Sequence, residues 1–290
     1  MDEKAGAADA RGVLSVVATP IGNLQDLSAR AVETLRACDR VAAEDTRRTR
    51  GLLSHLGIAG KPIEALHAHS SGEDVARLVD KLEAGEHVAV VTDAGTPVVS
   101  DPGGEVVRAA IARGVRVVPI PGASAVLAAL AASGLATDAG FRFVGFLPRD
   151  GVARGEAIAR VCETPEPVIL FESPNRTAAT LGDLAAATPS RAACVARELT
   201  KVHEEIVRGT CAELAALERE WIGEIAIVLG AHAPEARETA VNDAALDARI
   251  DEELARGLHA KTVAERLAAW SGRPKREVYE RVIVRKRHEG

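Results

Sequence analysis

The sequence predicts an α/β fold made of two α/β domains, followed by a small helical domain. Short apolar runs alternate with helical patterns, which is typical of a parallel sheet covered by helices. Three of these runs end in loops that contain proline and glycine, and open α/β sheets bind ligands at that edge. The last stretch of the chain has helical spacing and many basic residues.

The first predicted domain spans residues 12–120 and follows a polar leader, residues 1–11, that we expect to be disordered. Apolar runs predict strands at Val13–Ala18, Val41–Ala43, Val88–Thr92 and Val115–Ile120. Helical patterns predict helices at Ser28–Ala37, Gly72–Ala84 and Gly104–Arg113. Asp26 or Ser28 is suited to cap the first of these helices. The alternation predicts a parallel sheet that is buried on both faces.

The second predicted domain spans residues 121–232, and Pro119 and Pro121 flank the hinge that leads into it. It opens with a predicted helix at Ala123–Ser133, and we expect its sheet to be more mixed than the first. Its strands are predicted at Phe141–Leu147, Val168–Phe171, Ala193–Arg197, Ile206–Arg208 and Ile225–Leu229. Further helices are predicted at Asn175–Ala187 and Cys211–Leu217.

A polar linker, residues 233–243, precedes the helical domain at 244–290. Its helices are predicted at Ala244–Arg256, Lys261–Trp270 and Pro274–Lys286. The last two resemble a helix-turn-helix, since Ser271-Gly272-Arg273 supplies a turn and Pro274 suits a first helical position. From Leu254 onward, ten Lys/Arg and four Asp/Glu give +6, although the whole chain carries −6. This basic end is either a nucleic-acid contact or a solvated helical tail.

The amino-acid composition indicates which class of protein the chain belongs to. The 290 residues are 47% hydrophobic and 27% charged, as in ordinary globular proteins, and the 2% of aromatic residues argue against base stacking as the main hold on a nucleic acid. No apolar stretch reaches the roughly 20 residues that span a bilayer. The chain has no secretory signal pattern, CxxC pair or histidine array. We therefore expect a cytoplasmic protein with no membrane contact and no metal.

The chemistry is predicted to lie in the three loops that follow apolar strands. They are Thr19-Pro20-Ile21-Gly22-Asn23-Leu24, Asp93-Ala94-Gly95-Thr96-Pro97 and Pro121-Gly122-Ala123-Ser124-Ala125. Gly95 permits backbone angles or a close approach that a side chain would prevent. Gly22 is the only glycine of its loop, so the GxGxxG dinucleotide fingerprint is absent, as is the P-loop pattern.

Five motifs, in order along the chain, resemble the tetrapyrrole methylase superfamily. They are the three loops above together with Glu44-Asp45-Thr46-Arg47 and Ser100-Asp101-Pro102-Gly103. Within the superfamily, the chain resembles the branch that methylates the 2′-oxygen of a cytidine ribose in 16S rRNA. The resemblance implies a cofactor cleft between the two α/β domains, S-adenosylmethionine as the cofactor, a homodimer, and 16S rRNA in the small ribosomal subunit as the partner.

The resemblance assigns the cofactor to these loops. The cofactor-binding residues that it implies are Pro20, Gly22, Asp93, Ala94, Gly95, Thr96, Ser124 and Ala125, with Leu170 and Gly230 from second-domain strand ends. The reaction would be an in-line displacement at the methyl carbon. The protein would chiefly have to align the reacting atoms, because the sulfonium is already a good leaving group.

The sequence identifies no single catalytic base, although a base helps because a protonated ribose hydroxyl is a poor nucleophile. Glu44, Asp45 and Arg47 form the candidate catalytic cluster, and a salt-bridged strand end is the equal alternative. Candidate contacts to RNA phosphates are Arg48, Arg176, Arg197, Lys201, Lys275, Arg276, Arg281 and Arg285. Glu172 and Glu198 offer ion pairs as the alternative for some of these cations.

Two other functions fit parts of the sequence. A methylase of tetrapyrroles or other small molecules would share the fold and need no basic tail. A DNA-binding regulator would explain the helix-turn-helix pattern. The residues of the motifs and the basic tail favour an RNA substrate. The chain departs from the family in the loop His67-Ala68-His69-Ser70-Ser71, where an asparagine is usual, so the role of this loop and of His69 at the cleft stays open.

Overall fold

The structure is a computed structural model that describes residues 12–67, 70–101, 103–232, 243–271 and 273–288. The predicted leader, His69 and residues 233–242 of the predicted linker lie outside the described residues. The chain forms two compact units that divide between Ala231 and His232. Within the described ranges, the first unit contains two five-stranded sheets and the second contains three helices.

The first sheet is parallel throughout and has the strand order β3-β2-β4-β1-β5. Its strands are β1 (Val13–Val17), β2 (Arg40–Ala43), β3 (Ile63–Ala65), β4 (Val88–Val91) and β5 (Arg116–Ile120). Its helices are α1 (Ala29–Ala37), α2 (Thr46–His55), α3 (Gly72–Glu83) and α4 (Gly104–Ala112). All four residues of the central strand β4 are buried, with Val88 and Val90 on one face of the sheet and Ala89 and Val91 on the other, as the apolar run predicts.

The four strands and three helices predicted for this region are confirmed. Ser28 caps α1, because its hydroxyl accepts a hydrogen bond from the backbone N–H of Ala31 at 3.2 Å, whereas Asp26 lies in a 3₁₀ turn. Pro119 lies inside β5, where a missing N–H is tolerated because β5 is an edge strand. The sequence patterns did not reveal β3 or α2.

The second sheet is mixed, as predicted, and has the order β6-β7-β10-β8-β9 with only β6 and β7 parallel. Its strands are β6 (Arg142–Phe146), β7 (Val168–Glu172), β8 (Ala192–Arg197), β9 (Glu205–Thr210) and β10 (Ile225–Leu229). The accompanying helices are α5 (Ala125–Ser133), α6 (Gly151–Glu163), α7 (Pro174–Ala187) and α8 (Cys211–Ala215). Only α6 among these elements was not predicted.

The two sheets share apolar packing. One face of the second sheet packs with α6, α7 and α8, and the other packs with α5. Ile21, from the loop after β1, belongs to the same buried cluster as Val126 of α5 and Ala226 of β10. This insertion joins the loop edge of the first sheet to the second sheet.

The second unit consists of α9 (Asp243–Ala255), α10 (Ala260–Ser271) and α11 (Lys275–His288). Its apolar core is formed by Leu246, Ile250, Val263, Ala264, Leu267, Val278 and Val282. The three predicted helices are therefore confirmed, with α11 beginning one residue after Pro274. Residues 243–290 contain eleven Lys/Arg and nine Asp/Glu, so acidic residues of α9 offset much of the basic charge that follows.

Arg191 is a buried cation that ties several chain segments together. Its side chain is 4% exposed and donates to the carbonyls of Val161, Cys162, Thr164, Glu166 and Gly230, at 2.8–3.3 Å. These carbonyls belong to the end of α6, the loop after it, and the end of β10. Burial lowers the pKa of Arg191.

We expect Arg191→Met to lower the free energy of unfolding by about 3 kcal/mol or more, because buried carbonyls lose their donor. Urea unfolding, followed by Trp221 fluorescence in a Trp270→Phe background, measures this change within the first unit. The control is Arg160→Met on α6, whose side chain is 67% exposed and which should change stability by about 1 kcal/mol or less. Equal losses for the two variants would contradict the assigned role.

Candidate active site

The carboxyl ends of β2, β4, β1 and β5 lie side by side, because these four strands are parallel neighbours. Thr19 and Gly95 exchange two backbone hydrogen bonds, with N···O distances of 2.8 and 3.1 Å. Thr96 donates its hydroxyl to the carbonyl of Ala123 at 3.2 Å. The three predicted loops are therefore in contact at one edge of the sheet.

Glycine is required where the first loop meets the second sheet. A Cβ atom on Gly22 would lie 2.4 Å from Cγ of Lys201 and 3.0 Å from the carbonyl oxygen of Leu199. The next residue, Asn23, donates its backbone N–H to the hydroxyl of Thr200 at 3.1 Å. The first loop is thus fixed against the turn that follows β8.

A cavity of about 430 Å³ lies between the two sheets, and we call it the cleft cavity. Its volume falls within the range of about 300–1,000 Å³ that is typical of small-molecule sites. The first-sheet side supplies Ile21, Glu44, Arg48, Asp93, Ala94, Val99, Ser100 and Asp101, and the start of α5 supplies Ser124 and Ala125. The second-sheet side supplies residues that include Phe146, Phe171, Glu172, Leu199, Glu224 and Ala226. A cleft between the two α/β layers is therefore present.

The cleft cavity is acidic. Among the described residues that line it, the carboxylates are Glu44, Asp93, Asp101, Glu172 and Glu224, and Arg48 is the one Lys or Arg. Such a wall favours a cationic ligand and disfavours a phosphate-bearing one. The rings of Phe146 and Phe171, with centroids 5.7 Å apart, add apolar surface against which a flat ring can pack.

Three of these carboxylates gather around the end of β4. Thr92 donates its hydroxyl to Oε2 of Glu44 at 2.7 Å, and Oδ1 of Asp93 accepts the backbone N–H of Asp45 at 3.1 Å. Burial and the charges of Glu44 and Asp93 raise the pKa of Asp101 to about 6, against the effect of a hydrogen bond with Thr92. Burial, followed by the charge of Glu44, also raises the pKa of Asp93.

Comparison with known proteins identifies the family. The family model for tetrapyrrole (corrin/porphyrin) methylases matches residues 13–215. A relative from Halalkalibacterium halodurans is 40% identical over 93% of this chain and 94% of its own, and one from Mesorhizobium japonicum is 44% identical over 96% and 93%. Both are named ribosomal RNA small subunit methyltransferase I. The chain belongs to this branch of the tetrapyrrole methylase family. It is a methyltransferase, as its sequence motifs predict.

Solved structures show the same fold. Diphthine synthase superposes with a TM-score of 0.58 at 19% identity, covering 76% of this chain and 92% of that protein. Uroporphyrin-III C-methyl transferase from Thermus thermophilus, in complex with S-adenosylhomocysteine, has a TM-score of 0.54 at 20% identity, covering 76% and 97%. The tetrapyrrole methylase fold that the sequence predicts is therefore confirmed.

The predicted cofactor residues of this family member fall into three groups. Asp93, Ala94, Ser124 and Ala125 line the cleft cavity. Pro20 and Gly22 line a second cavity beside it, while Gly95 and Thr96 join the loops through hydrogen bonds to Thr19 and Ala123. Leu170 is fully buried in the cluster that contains residues of α6 and α7, and Gly230 lies at the far end of β10. The cofactor roles of these residues remain predictions.

The predicted catalytic cluster is divided by the structure. Glu44 lines the cleft cavity. Asp45 caps α2, accepting the backbone N–H groups of Arg47 and Arg48 at 2.7 and 3.4 Å, and these bonds lower its pKa. The side chain of Arg47 is 87% exposed. Asp45 therefore has a structural role, whereas Glu44 remains a candidate catalytic residue.

Several predicted RNA contacts are engaged in ion pairs. Arg176 pairs with Glu172, Arg197 with Glu205, and Lys201 with Glu198 and Glu224. In the helical unit, Arg281 pairs with Asp247, Arg285 with Asp251, Lys275 with Glu265 and Arg276 with Glu280. Arg48 lies 3.4 Å from Asp93, and its side chain is 67% exposed. Arg48 and Arg276, the latter 90% exposed, present the most accessible charge of this set.

Asp101 and Phe146 line the cleft cavity but were not among the site residues predicted from the sequence. The Ser100-Asp101 motif was visible as a family signature, but its raised pKa depends on residues that only the fold brings close. Phe146 reaches the cavity beyond an irregularity in β6, where the pairing register with β7 shifts. Gly145 there has φ of 68°, and a Cβ on it would lie 3.1 Å from the hydroxyl oxygen of Ser100.

Backbone strain is concentrated at two turns near the cavity. Val98 and Ser100 have φ values of 76° and 66°, and Glu198 and Thr200 have values of 51° and 67°. Left-handed angles are uncommon for residues other than glycine, and most costly for β-branched ones such as valine and threonine. Strain of this kind persists where surrounding contacts fix a loop shape, often at a functional site.

No helix within the described ranges is long and apolar enough to cross a membrane. The described residues also contain no group of three His, Cys, Asp or Glu placed to hold a metal ion. The expectations of a metal-free protein and of no membrane contact stay predictions.

The raised pKa of Asp101 predicts a pH-dependent change in stability. The pKa of its carboxyl is about 6 in the folded state, above the ordinary value of 3.8. The folded protein therefore loses stability as pH rises from about 4 to about 6, because the buried carboxyl must ionise. We expect Asp101→Asn to unfold at a higher urea concentration than the parent above pH 6. The difference should shrink to nothing below pH 4, and a pH-independent difference would contradict the assigned environment.

Proposed function

We propose that the protein transfers a methyl group from S-adenosylmethionine to the 2′-oxygen of a cytidine ribose in 16S rRNA of the small ribosomal subunit. The proposal rests on the acidic cleft cavity at the strand ends of a chain that is 40–44% identical to rRNA small subunit methyltransferase I relatives. We further propose that it acts in the cytoplasm, where ribosomal subunits assemble, and that it works as a homodimer.

The cleft cavity fits the cofactor in charge and in shape. S-adenosylmethionine supplies a methyl carbon on a positively charged sulfur, and the carboxylates of the cavity wall complement that charge. The apolar side chains of Phe171, Leu199 and Ala226 suit the adenine ring. NAD and nucleoside triphosphates carry phosphates, which the carboxylates of Glu44 and Asp101 in this wall would repel.

The catalytic contribution of the residues is alignment and proton removal. Rigid loops, held by the Thr19–Gly95 pair and by Gly22, fix the walls between which the reacting atoms meet. The hydroxyl proton must leave as its oxygen forms the new bond. Glu44, Asp93 and Asp101 are the carboxylates that can accept it at the end of β4. The raised pKa of Asp101 matches a group that exchanges protons near neutral pH.

A tetrapyrrole substrate has less support than RNA. The tetrapyrrole methylases of solved structure share the fold at about 20% identity, whereas the rRNA methyltransferase relatives match almost the whole length of the chain. The uroporphyrin enzymes cover 76% of the chain, whereas the rRNA methyltransferase relatives cover 93–96% of it. A DNA-binding regulator whose α/β body senses a ligand would also use a cavity, but the relatives that match 93–96% of the chain are named as methyltransferases.

The function is tested by transfer of labelled methyl from S-adenosylmethionine to small ribosomal subunits from a strain that lacks this protein. We expect incorporation that maps to a ribose 2′-oxygen of a cytidine in 16S rRNA. Subunits from the parent strain, already methylated, serve as the control and should take up little label. Incorporation into uroporphyrin-type pigments instead of RNA would overturn the proposal.

A charge variant of the helical unit tests its role in RNA binding. The double variant Arg276→Glu with Lys286→Glu reverses two exposed charges of α11. We expect it to bind small subunits more weakly. The slope of the logarithm of the binding constant against the logarithm of salt concentration should fall in magnitude by about one for each lost phosphate contact. Binding to S-adenosylhomocysteine, measured by calorimetry, should not change. As a comparison, Arg281→Gln removes an ion pair with Asp247 and should chiefly destabilise the helical unit. Undiminished binding of subunits by the double variant would contradict the role.

A further inference from the structure

A second cavity of about 450 Å³ adjoins the cleft cavity, and we call it the side cavity. The two share one wall, formed by Ile21, Arg48, Asp93, Ala94 and Glu224. Two ligands that occupy these cavities would therefore meet at this wall. A transfer reaction between two substrates requires this arrangement, because the reacting atoms must come within contact distance.

The side cavity differs in charge from the cleft cavity. Its basic side chains are Arg48 and Lys201, with the imidazole of His55 also in the lining, and its acidic side chains are Asp93 and Glu224. Both acids are paired with these cations, Asp93 with Arg48 at 3.4 Å and Glu224 with Lys201 at 3.2 Å. The cleft cavity suits a cation, and the side cavity is the better match for a ligand that carries phosphate.

One face of α2 forms a wall of the side cavity. Arg48, Gly51, Leu52 and His55 line it, and their spacing of three and four residues places them on one side of a helix. Asp45 caps the helix and so fixes where this face begins. The loop after β1 supplies further lining through Pro20 and Gly22.

Gly51 keeps part of this wall open. A Cβ atom at this position would meet no other atom within 4 Å, so the packing of the fold does not require a glycine there. Glycine inside a helix is unfavourable relative to alanine. The missing side chain leaves free space over the helix backbone, at the level of the cavity.

We infer that the side cavity binds the acceptor nucleotide, with its ribose against the shared wall and its phosphates toward Arg48 and His55 on the α2 face. This inference rests on the proposed function and names the subsite for its RNA substrate. The ribose 2′-oxygen forms a bond to the methyl carbon as the carbon–sulfur bond breaks, and the electron pair of that bond stays on sulfur. The hydroxyl proton passes to Asp93, because of the three candidate carboxylates at the end of β4 it is the one that lines both cavities, whereas Glu44 and Asp101 line the cleft cavity alone.

The test fills the side cavity without touching the cleft cavity. Gly51→Leu projects a side chain from α2 into the acceptor site, and its matched control is Gly155→Leu, at an exposed glycine of α6 whose Cβ would likewise meet nothing within 4 Å. We expect Gly51→Leu to lower kcat/KM for small subunits by about tenfold or more relative to Gly155→Leu. The affinity for S-adenosylhomocysteine, measured by calorimetry, should agree within about twofold between the two.

A smaller substitution at Gly51 distinguishes a blocked acceptor site from a misfolded protein. Gly51→Ala favours the helix and adds one methyl group, so it should unfold no earlier than the parent and lose activity to a smaller degree. Equal kcat/KM for Gly51→Leu and Gly155→Leu would overturn the inference, and so would a parallel loss of S-adenosylhomocysteine affinity in Gly51→Leu. A parent protein that methylates no small subunits would instead refute the proposed function, which separates the two failures.

Discussion

The site depends on one constraint, which is that β2, β4, β1 and β5 are parallel neighbours and therefore end at a single edge. Each strand end releases a loop there, and the loops satisfy one another's backbone groups. The paired hydrogen bonds between Thr19 and Gly95 are the central link, because they join the loops that follow β1 and β4. Without this parallel order, the carboxylates of Glu44, Asp93 and Asp101 would not gather in one place.

The cleft cavity exists because the second sheet is held close to these loops and does not cover them. Ile21 enters the apolar cluster of the second sheet, and Gly22 lets the loop approach the turn after β8. That turn carries the left-handed residues Glu198 and Thr200. Contacts on both sides thus set the width of the gap, and an acidic, partly apolar space remains between them.

The two cavities differ in the charge of the side chains that line them. Carboxylates dominate the cleft cavity, and arginine and lysine side chains reach the adjoining side cavity. The helical unit shows a related pattern in which most basic side chains are balanced. Asp247 and Asp251 of α9 hold Arg281 and Arg285 of α11, which leaves Arg276 as an exposed cation of that helix. The effective basic surface of this unit is smaller than its sequence indicates.

Local patterns predicted the elements whose burial is regular. The run Val88–Val91 is wholly apolar and buried, so its strand was evident, and the loop after it was correctly placed at the sheet edge. The helix α2 was missed because only Thr49 and Leu53 are buried in a polar segment, which gives little apolar periodicity. Asp101 was missed as a perturbed group because its neighbour Glu44 is distant in sequence. Likewise, nothing local to Arg281 indicates that Asp247 will neutralise it.

A crystal structure with S-adenosylhomocysteine and a cytidine nucleotide would show whether the cleft cavity holds the methyl donor. We expect S-adenosylhomocysteine between the loops at Asp93–Ala94 and Ser124–Ala125, with its sulfur facing the shared wall and the nucleotide on the other side of that wall. S-adenosylhomocysteine bound in the side cavity, or at a surface away from both cavities, would refute the assignment of the cleft cavity to the methyl donor.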